Sequence, residues 1–284
     1  MERHEFHAMG TTVECLLDGE PRDGFTRVEA EFERLEALLS RFRPDSELSL
    51  LNRRGSVEAG PDLLRVTALA VQARERSGGL FDPTVFDAVV AAGYDRSFEL
   101  VPEDGPAADA GARCGGGIRI TGSWIELEPG SHLDLGGIAK GYAVDRAVEL
   151  LAVYGPCLVN AGGDLAVAGL LDGGAWPVGV DVPDGALTLA LSEGALATSG
   201  RDRRRWLRDG REHHHLIDPA TGTSSRSDLL RVTAAGGGAA EAEVLAKSLF
   251  LAGARLARAE ADALGIPAVL VTGDGDAILC GPLA

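Results

Sequence analysis

Leu133-Asp134-Leu135-Gly136-Gly137-Ile138-Ala139-Lys140-Gly141-Tyr142-Ala143-Val144-Asp145 is the stretch whose reading decides the fold. Just upstream, Trp124 to Glu128 alternates in polarity and reads as a strand. Downstream, Ala143, Ala147, Leu150 and Leu151 recur at helical spacing, which predicts a helix over Ala143 to Tyr154. Between them, Gly136 and Gly137 let the backbone turn tightly and approach a ligand. A glycine turn that opens a helix presents unpaired N–H groups and the positive end of the helix dipole, which suits a phosphate. Lys140 adds a mobile cation in the first turn. Ordinary strand-to-helix packing explains the same corner, and the spacing matches neither G-x-G-x-x-G nor G-x-x-x-x-G-K-[ST].

The 284 residues suffice for one large domain over 1–284 or two intimate subdomains. A formal net charge of −16 excludes a general affinity for nucleic acid or anionic membrane, so an anionic ligand must be held by local donors. Cys15, Cys114, Cys157 and Cys280 are scattered and form no C-x-x-C pair, as expected of reduced thiols. Met1 to Gly10 is charged where a signal peptide needs an apolar run, and no stretch reads as a transmembrane segment. Localisation is therefore expected to be cytoplasmic, unless the chain is a trimmed exported form.

The remaining elements follow in order. Phe6 to Leu17 predicts a strand, and Phe25 to Phe42 a helix with one apolar stripe, stopped by Pro44. Asp45 or Ser46 can cap a short helix over Glu47 to Asn52. Pro61 to Arg76 predicts a helix ended by Ser77-Gly78-Gly79, and Phe81-Asp82-Pro83-Thr84 the start of another. Val101 to Gly117 lacks periodicity and reads as a loop or insertion. Cys157 to Asn160, reaching Gly162-Gly163, reads as a buried strand, with Leu165 to Leu170 and Val178 to Val182 continuing its sheet. Arg203 to Ile217 predicts a hairpin turning at Asp209-Gly210. Leu229 to Ala234 predicts a strand, Ala239 to Ala252 a helix, and Ala268 to Cys280 a hairpin. This order indicates α+β with layered sheets.

The central stretch resembles the signature of the ApbE family, the FAD:protein FMN transferases. Further segments match in the same order: Met9-Gly10-Thr11, Ser40 to Asn52, Gly79 to Thr84, Val159-Asn160-Ala161-Gly162-Gly163-Asp164, Ala197-Thr198-Ser199-Gly200, His215 to Gly222, and a helix at Ala242 to Phe250. The likeness runs from about Met9 to about Gly253, and several ordered motifs are more specific than any one of them. It implies an α+β fold with layered mixed sheets resembling tunnelling-fold proteins. It also implies FAD as substrate, with FMN transferred to a threonine hydroxyl of an acceptor protein and AMP released. At the flavin it implies Met9, Ser46, Asn52, Phe81, Asp82, Lys140, Gly162, Gly163, Asp164, Ser199 and Gly200. The acceptor would carry a Ser/Thr-Gly-Ala-Ser/Thr type motif, which this chain lacks.

The same resemblance favours His215 as catalytic base, with the catalytic Asp218 orienting it or holding its loop. On a strand, His213 and His215 would share a face and could bind a transition metal, and an exposed polar strand is the blander reading. The family's Mg²⁺ site uses an aspartate, a threonine four residues later and a backbone carbonyl from the central motif. Here Ala139 offers the carbonyl and Glu243 the acid, but Lys247 stands where threonine is expected. An ammonium has only donors and repels a cation, so Mg²⁺ is expected to be weak or absent, with Glu243 paired to Lys247. Two rivals to the transferase are a protein that binds FAD without turnover and a Mg²⁺-dependent FAD pyrophosphatase giving FMN and AMP.

Overall fold

A computed structural model describes residues 1–106 and 111–284. In chain order it runs β1 (Glu2–Ala8), β2 (Thr11–Leu17), α1 (Gly24–Leu39), α2 (Glu47–Arg54), β3 (Ser56–Glu58), α3 (Pro61–Arg76), α4 (Phe86–Ala91), β4 (Ile118–Thr121) and β5 (Trp124–Leu127). Then follow α5 (Ala139–Leu151), β6 (Cys157–Ala161), β7 (Asp164–Ala168), β8 (Trp176–Val182), β9 (Gly185–Leu191) and β10 (Gly194–Gly200). The chain continues through β11 (Arg205–Arg208), β12 (Arg211–His214), β13 (Ile217–Asp218), β14 (Thr223–Ser224) and β15 (Leu229–Gly236). It closes with α6 (Ala239–Leu264), β16 (Ala268–Thr272) and β17 (Ala277–Cys280).

Two compact units result. The first comprises Met1–Glu36, Ile138–Ser199 and Asp228–Ala284; the second comprises Ala37–Gly137 and Gly200–Ser227. The first is built on an eight-stranded sheet in the order β1-β2-β6-β7-β10-β15-β16-β17. Its pairs β1–β2, β2–β6, β6–β7, β7–β10, β15–β16 and β16–β17 are antiparallel. Fully buried Val13, Cys15, Val159, Val232 and Leu270 come from its central strands, and helices α5 and α6 pack against it and against one another. The second unit holds the sheet β3-β5-β4 and the hairpins β11–β12 and β13–β14. This is the layered α+β architecture expected.

Several details differ from the sequence reading. The first strand is a hairpin: β1 and β2 meet through Met9 and Gly10, whose φ values of 51° and 67° both lie in the left-handed region. That is the backbone of a tight primed turn, and a methionine gives no sequence signal for it. Strand β8 does not continue the main sheet. It pairs with the unforeseen β9, and Trp176, Val178, Leu189 and Leu191 pack on Leu158, Leu165, Val167 and Leu196. Helix α4 starts at Phe86 rather than at Phe81, because the Asp82 carboxylate accepts from Thr84 N (2.8 Å) and Thr84 Oγ1 (2.7 Å) and makes its own turn. Helix α6 runs beyond the expected end, with a break at Gly253 (φ 76°). Of the loop expected over 101–117, residues 107–110 lie outside the described residues, and the described remainder contains no helix or strand. Among the described residues no helix is long and apolar enough to cross a membrane.

Candidate active site

The first unit gathers three charged side chains of the resemblance at one buried point. Lys140, in the first turn of α5, donates from Nζ to Glu243 Oε1 at 2.6 Å and to Asp164 Oδ2. Glu243 Oε2 accepts from Gly141 N at 2.9 Å. Both carboxylates are 5% exposed and Lys140 is 17% exposed. Burial pushes Asp164 up to about 6, against the pull of the Lys140 ammonium; Glu243 pushes it further up and Lys247 pulls it down. The helix end that the sequence offered to a phosphate is thus met by the protein's own Glu243, an anion at a helix N-terminus. Lys140 is thus an ammonium partner of Glu243 Oε1 that the sequence did not single out.

Close helix approach makes this contact possible. A Cβ on Gly141 would lie 2.5 Å from Ala239 C and 2.6 Å from Ala240 Cα, so only glycine lets α5 meet the start of α6. Gly238, the N-cap of α6, offers no side-chain cap. Asp145 supplies it from α5, accepting from Ala239 N (2.6 Å) and Ala240 N (3.1 Å). Burial raises the pKa of Asp145, while those two backbone hydrogen bonds oppose the rise.

The donor set fits Mg²⁺ poorly. Mg²⁺ needs near-octahedral oxygen ligation, yet both oxygens of Glu243 already face N–H donors. At 247 an ammonium replaces a hydroxyl, so Ala139 and Glu243 do not make a magnesium site as they stand. Among the described residues, no group of three or more His, Cys, Asp or Glu side chains is placed to hold a metal ion. His213 and His215, which the sequence offered to a transition metal, belong to no such group. His213 lies in β12 opposite Trp206, whereas His215 lies past the strand end with Nδ1 3.5 Å from Arg204 O.

Two hairpin tips adjoin in the same unit. β2 pairs with β6, bringing Thr11 beside Gly162, where a Cβ would meet the Thr11 side chain. Gly162 and Gly163 both have positive φ (66° and 106°), and Gly163 N donates to Asn160 Oδ1 at 2.9 Å. Met9 holds a left-handed backbone at the neighbouring tip, with its N–H donated to Glu36 Oε2 at 2.8 Å. Such a residue persists only where its surroundings impose it, and these conformers cluster at binding sites. Ser199 is buried near the end of β10.

In the second unit most residues expected at the flavin have structural partners. Buried Ser46 caps α2, accepting from Ser49 N and donating to Ser40 O at 2.7 Å. Asn52 brackets Leu133, donating to its carbonyl (2.9 Å) and accepting from its N–H (2.8 Å), and so pins the central motif. Phe81 is 2% exposed. The second oxygen of Asp82 accepts from Gly115 N at 2.8 Å, and Arg74 stands 3.8 Å from the first. Gly200 ends β10. Asp218 takes the loop-holding role, accepting from Ala220 N (2.9 Å) and Thr221 Oγ1 (3.3 Å). His214, not His215, is the buried ring, tied to Ser225 O and Leu216 N. Burial lowers its pKa.

Sequence reasoning missed two pairs in this unit. Arg41 reaches Asp134 at 3.1 Å beneath the rings of Phe42 and Tyr94, and Asp134 Oδ1 accepts from Gly136 N, fixing the glycine turn. His132 Nδ1 lies 2.8 Å from Asp87. Residues 45 positions apart leave no local signal, although Arg41 falls within the Ser40 to Asn52 run.

The architecture is that of solved flavin-transferase structures. It is similar to the ApbE protein of Thermotoga maritima with a TM-score of 0.86 at 25% identity, covering 98% of this chain and 96% of that one. Against the flavin transferase ApbE of Vibrio cholerae the TM-score is 0.81, over 99% and 97% of the two chains. The chain belongs to the ApbE family, whose model matches residues 9–270. It is 32% identical to the FAD:protein FMN transferase of Treponema pallidum over 77% of this chain and 68% of that protein. Identity to the FAD:protein FMN transferase of Rhodobacter capsulatus is also 32%, covering 95% of this chain but only 55% of that protein.

Proposed function

We propose that this chain is an FAD:protein FMN transferase: it moves FMN from FAD to a threonine hydroxyl of an acceptor protein and releases AMP. The observation that carries this reading is family membership over residues 9–270 together with 32% identity to transferases so named. In the reaction the threonine oxygen attacks the phosphorus on the FMN side of the pyrophosphate. The P–O bond to AMP breaks, the pyrophosphate bridging oxygen leaves with AMP, and the hydroxyl proton passes to a base. Stabilising charge on the two phosphates and removing that proton are the protein's tasks.

Lys140 is the cation for the first task, held in place by Asp164 and Glu243. The tips at Met9 and at Gly162-Gly163 offer backbone that approaches a ligand closely. For the second task His215 is the proposed base. With Nδ1–H donated to Arg204 O, its Nε2 carries the lone pair that accepts the proton. Asp218 holds the following turn. No step is routed through Mg²⁺, because the donors at Glu243 and position 247 do not fit it. The acceptor proposed is a protein bearing a Ser/Thr-Gly-Ala-Ser/Thr type motif.

Incubation with FAD and a domain bearing that motif, followed by intact mass, tests the reading. A gain of one FMN unit on the acceptor with equimolar AMP is expected. Free FMN and AMP without an adduct would assign pyrophosphatase chemistry instead. Unchanged FAD bound to the protein would assign a binding role.

A further inference from the structure

We infer that the buried carboxylates of the first unit are closed to divalent cations. Lys140 and Lys247 supply from within the chain the positive charge that a metal would bring, so FAD binds without a divalent metal. The FAD half of this inference rests on the proposed transferase reading; the metal half does not.

The first observation is occupancy. Lys140 Nζ sits between Glu243 Oε1 (2.6 Å) and Asp164 Oδ2, so an ammonium already bridges the two acids. Gly141 N takes the other oxygen of Glu243. A cation binding there must displace both donors and leave the Lys140 charge in a site where the carboxylates are 95% buried. The second observation is charge balance. Lys247 lies one helical turn after Glu243 on α6, and its charge reaches Asp164. Asp164 and Glu243 are thus matched by two ammonium groups, so a dication would add two positive charges where neither carboxylate of the pair is left unmatched. The third is ligand chemistry: an ammonium offers no lone pair, so position 247 cannot complete an oxygen shell.

Two measurements on the unmodified protein, stripped with EDTA, decide the matter. Mn²⁺ is added as a paramagnetic probe and free Mn²⁺ is followed by EPR. FAD is titrated by flavin fluorescence, once in EDTA and once in millimolar Mg²⁺. We expect no stoichiometric Mn²⁺ binding up to millimolar concentration, and FAD affinities equal within about twofold under the two conditions. Lys140→Met combined with Lys247→Thr, which removes both ammonium groups, should acquire one Mn²⁺ per chain. Wild-type protein that binds one Mn²⁺ at micromolar concentration would overturn the inference. So would FAD affinity that rises about tenfold or more with Mg²⁺. If FAD binds under neither condition, the transferase reading fails while the Mn²⁺ result still decides the metal half.

Discussion

Lys140→Met isolates the ammonium that holds two buried acids. Its Nζ contributes a gross attraction to Glu243 of about 6 kcal/mol at 2.6 Å and an effective dielectric near 20. Desolvation of the three charged groups offsets most of this in the wild type, so the net value of the cluster is far smaller. In the variant the offset is lost, because Asp164 and Glu243 stay buried and repel one another. Removing one partner of such a pair typically costs about 3–5 kcal/mol. Protonation sets the ceiling: neutralising one carboxylate of ordinary pKa at pH 7.5 costs about 5 kcal/mol. The expected loss at pH 7.5 is therefore about 3–5 kcal/mol, read by urea unfolding followed by far-ultraviolet circular dichroism. The pH dependence is the sharper signature. In the variant a carboxylate has a folded pKa raised above its unfolded value, so the folded state binds the extra proton and gains stability as pH falls. Between pH 7.5 and 6, where wild-type Asp164 only begins to take up its proton, the deficit should shrink by about 1–2 kcal/mol. A deficit under about 1 kcal/mol at pH 7.5, or one that does not change with pH, would refute the reasoning.

Two further outcomes follow from neighbouring contacts. Gly141→Ala puts a methyl group against the backbone of Ala239 and Ala240, which has no rotamer to yield, so α5 and α6 must part. A loss of about 1–3 kcal/mol in thermal unfolding is expected, and an unchanged melting temperature would contradict this packing. His214 has a pKa depressed by burial, so its contribution is present above the unfolded value near 6.5 and is lost as pH falls through the folded one. His214→Gln, which keeps a donor for Ser225 O, should remove that slope. The difference between wild-type and variant stability should narrow from pH 7 to 5; a constant difference would count against a neutral buried His214.

Much of the fold was legible because the signals are local. Apolar spacing marked α3 with its bounds, Ser46 marked the start of α2, and Asp209-Gly210 marked the turn between β11 and β12. Each depends on residues within one turn of one another, where backbone sterics and a single hydrogen bond decide the outcome. The hairpin at Met9-Gly10, the separate β8–β9 sheet and the delayed start of α4 were not legible. The first is imposed on a residue that disfavours it. The second depends on what the strand packs against. In the third, Asp82 bonds its own turn and the distant Gly115 in place of capping a helix.

By itself the sequence determined the family, the central strand–glycine–helix corner and the departure at Glu243 and Lys247, because those are statements about residue identity and order. Only the tertiary structure decided which charges meet. Asp164 and Glu243 lie 24 and 103 positions from Lys140 along the chain. Nothing local marks Lys140 as an ammonium on Glu243 Oε1. The pairing is made by the approach of α5 to α6 at Gly141 and by the Asp145 cap that fixes the start of α6. Long-range packing brings these charges together, and in a buried site a separation of a few ångströms decides which pair forms.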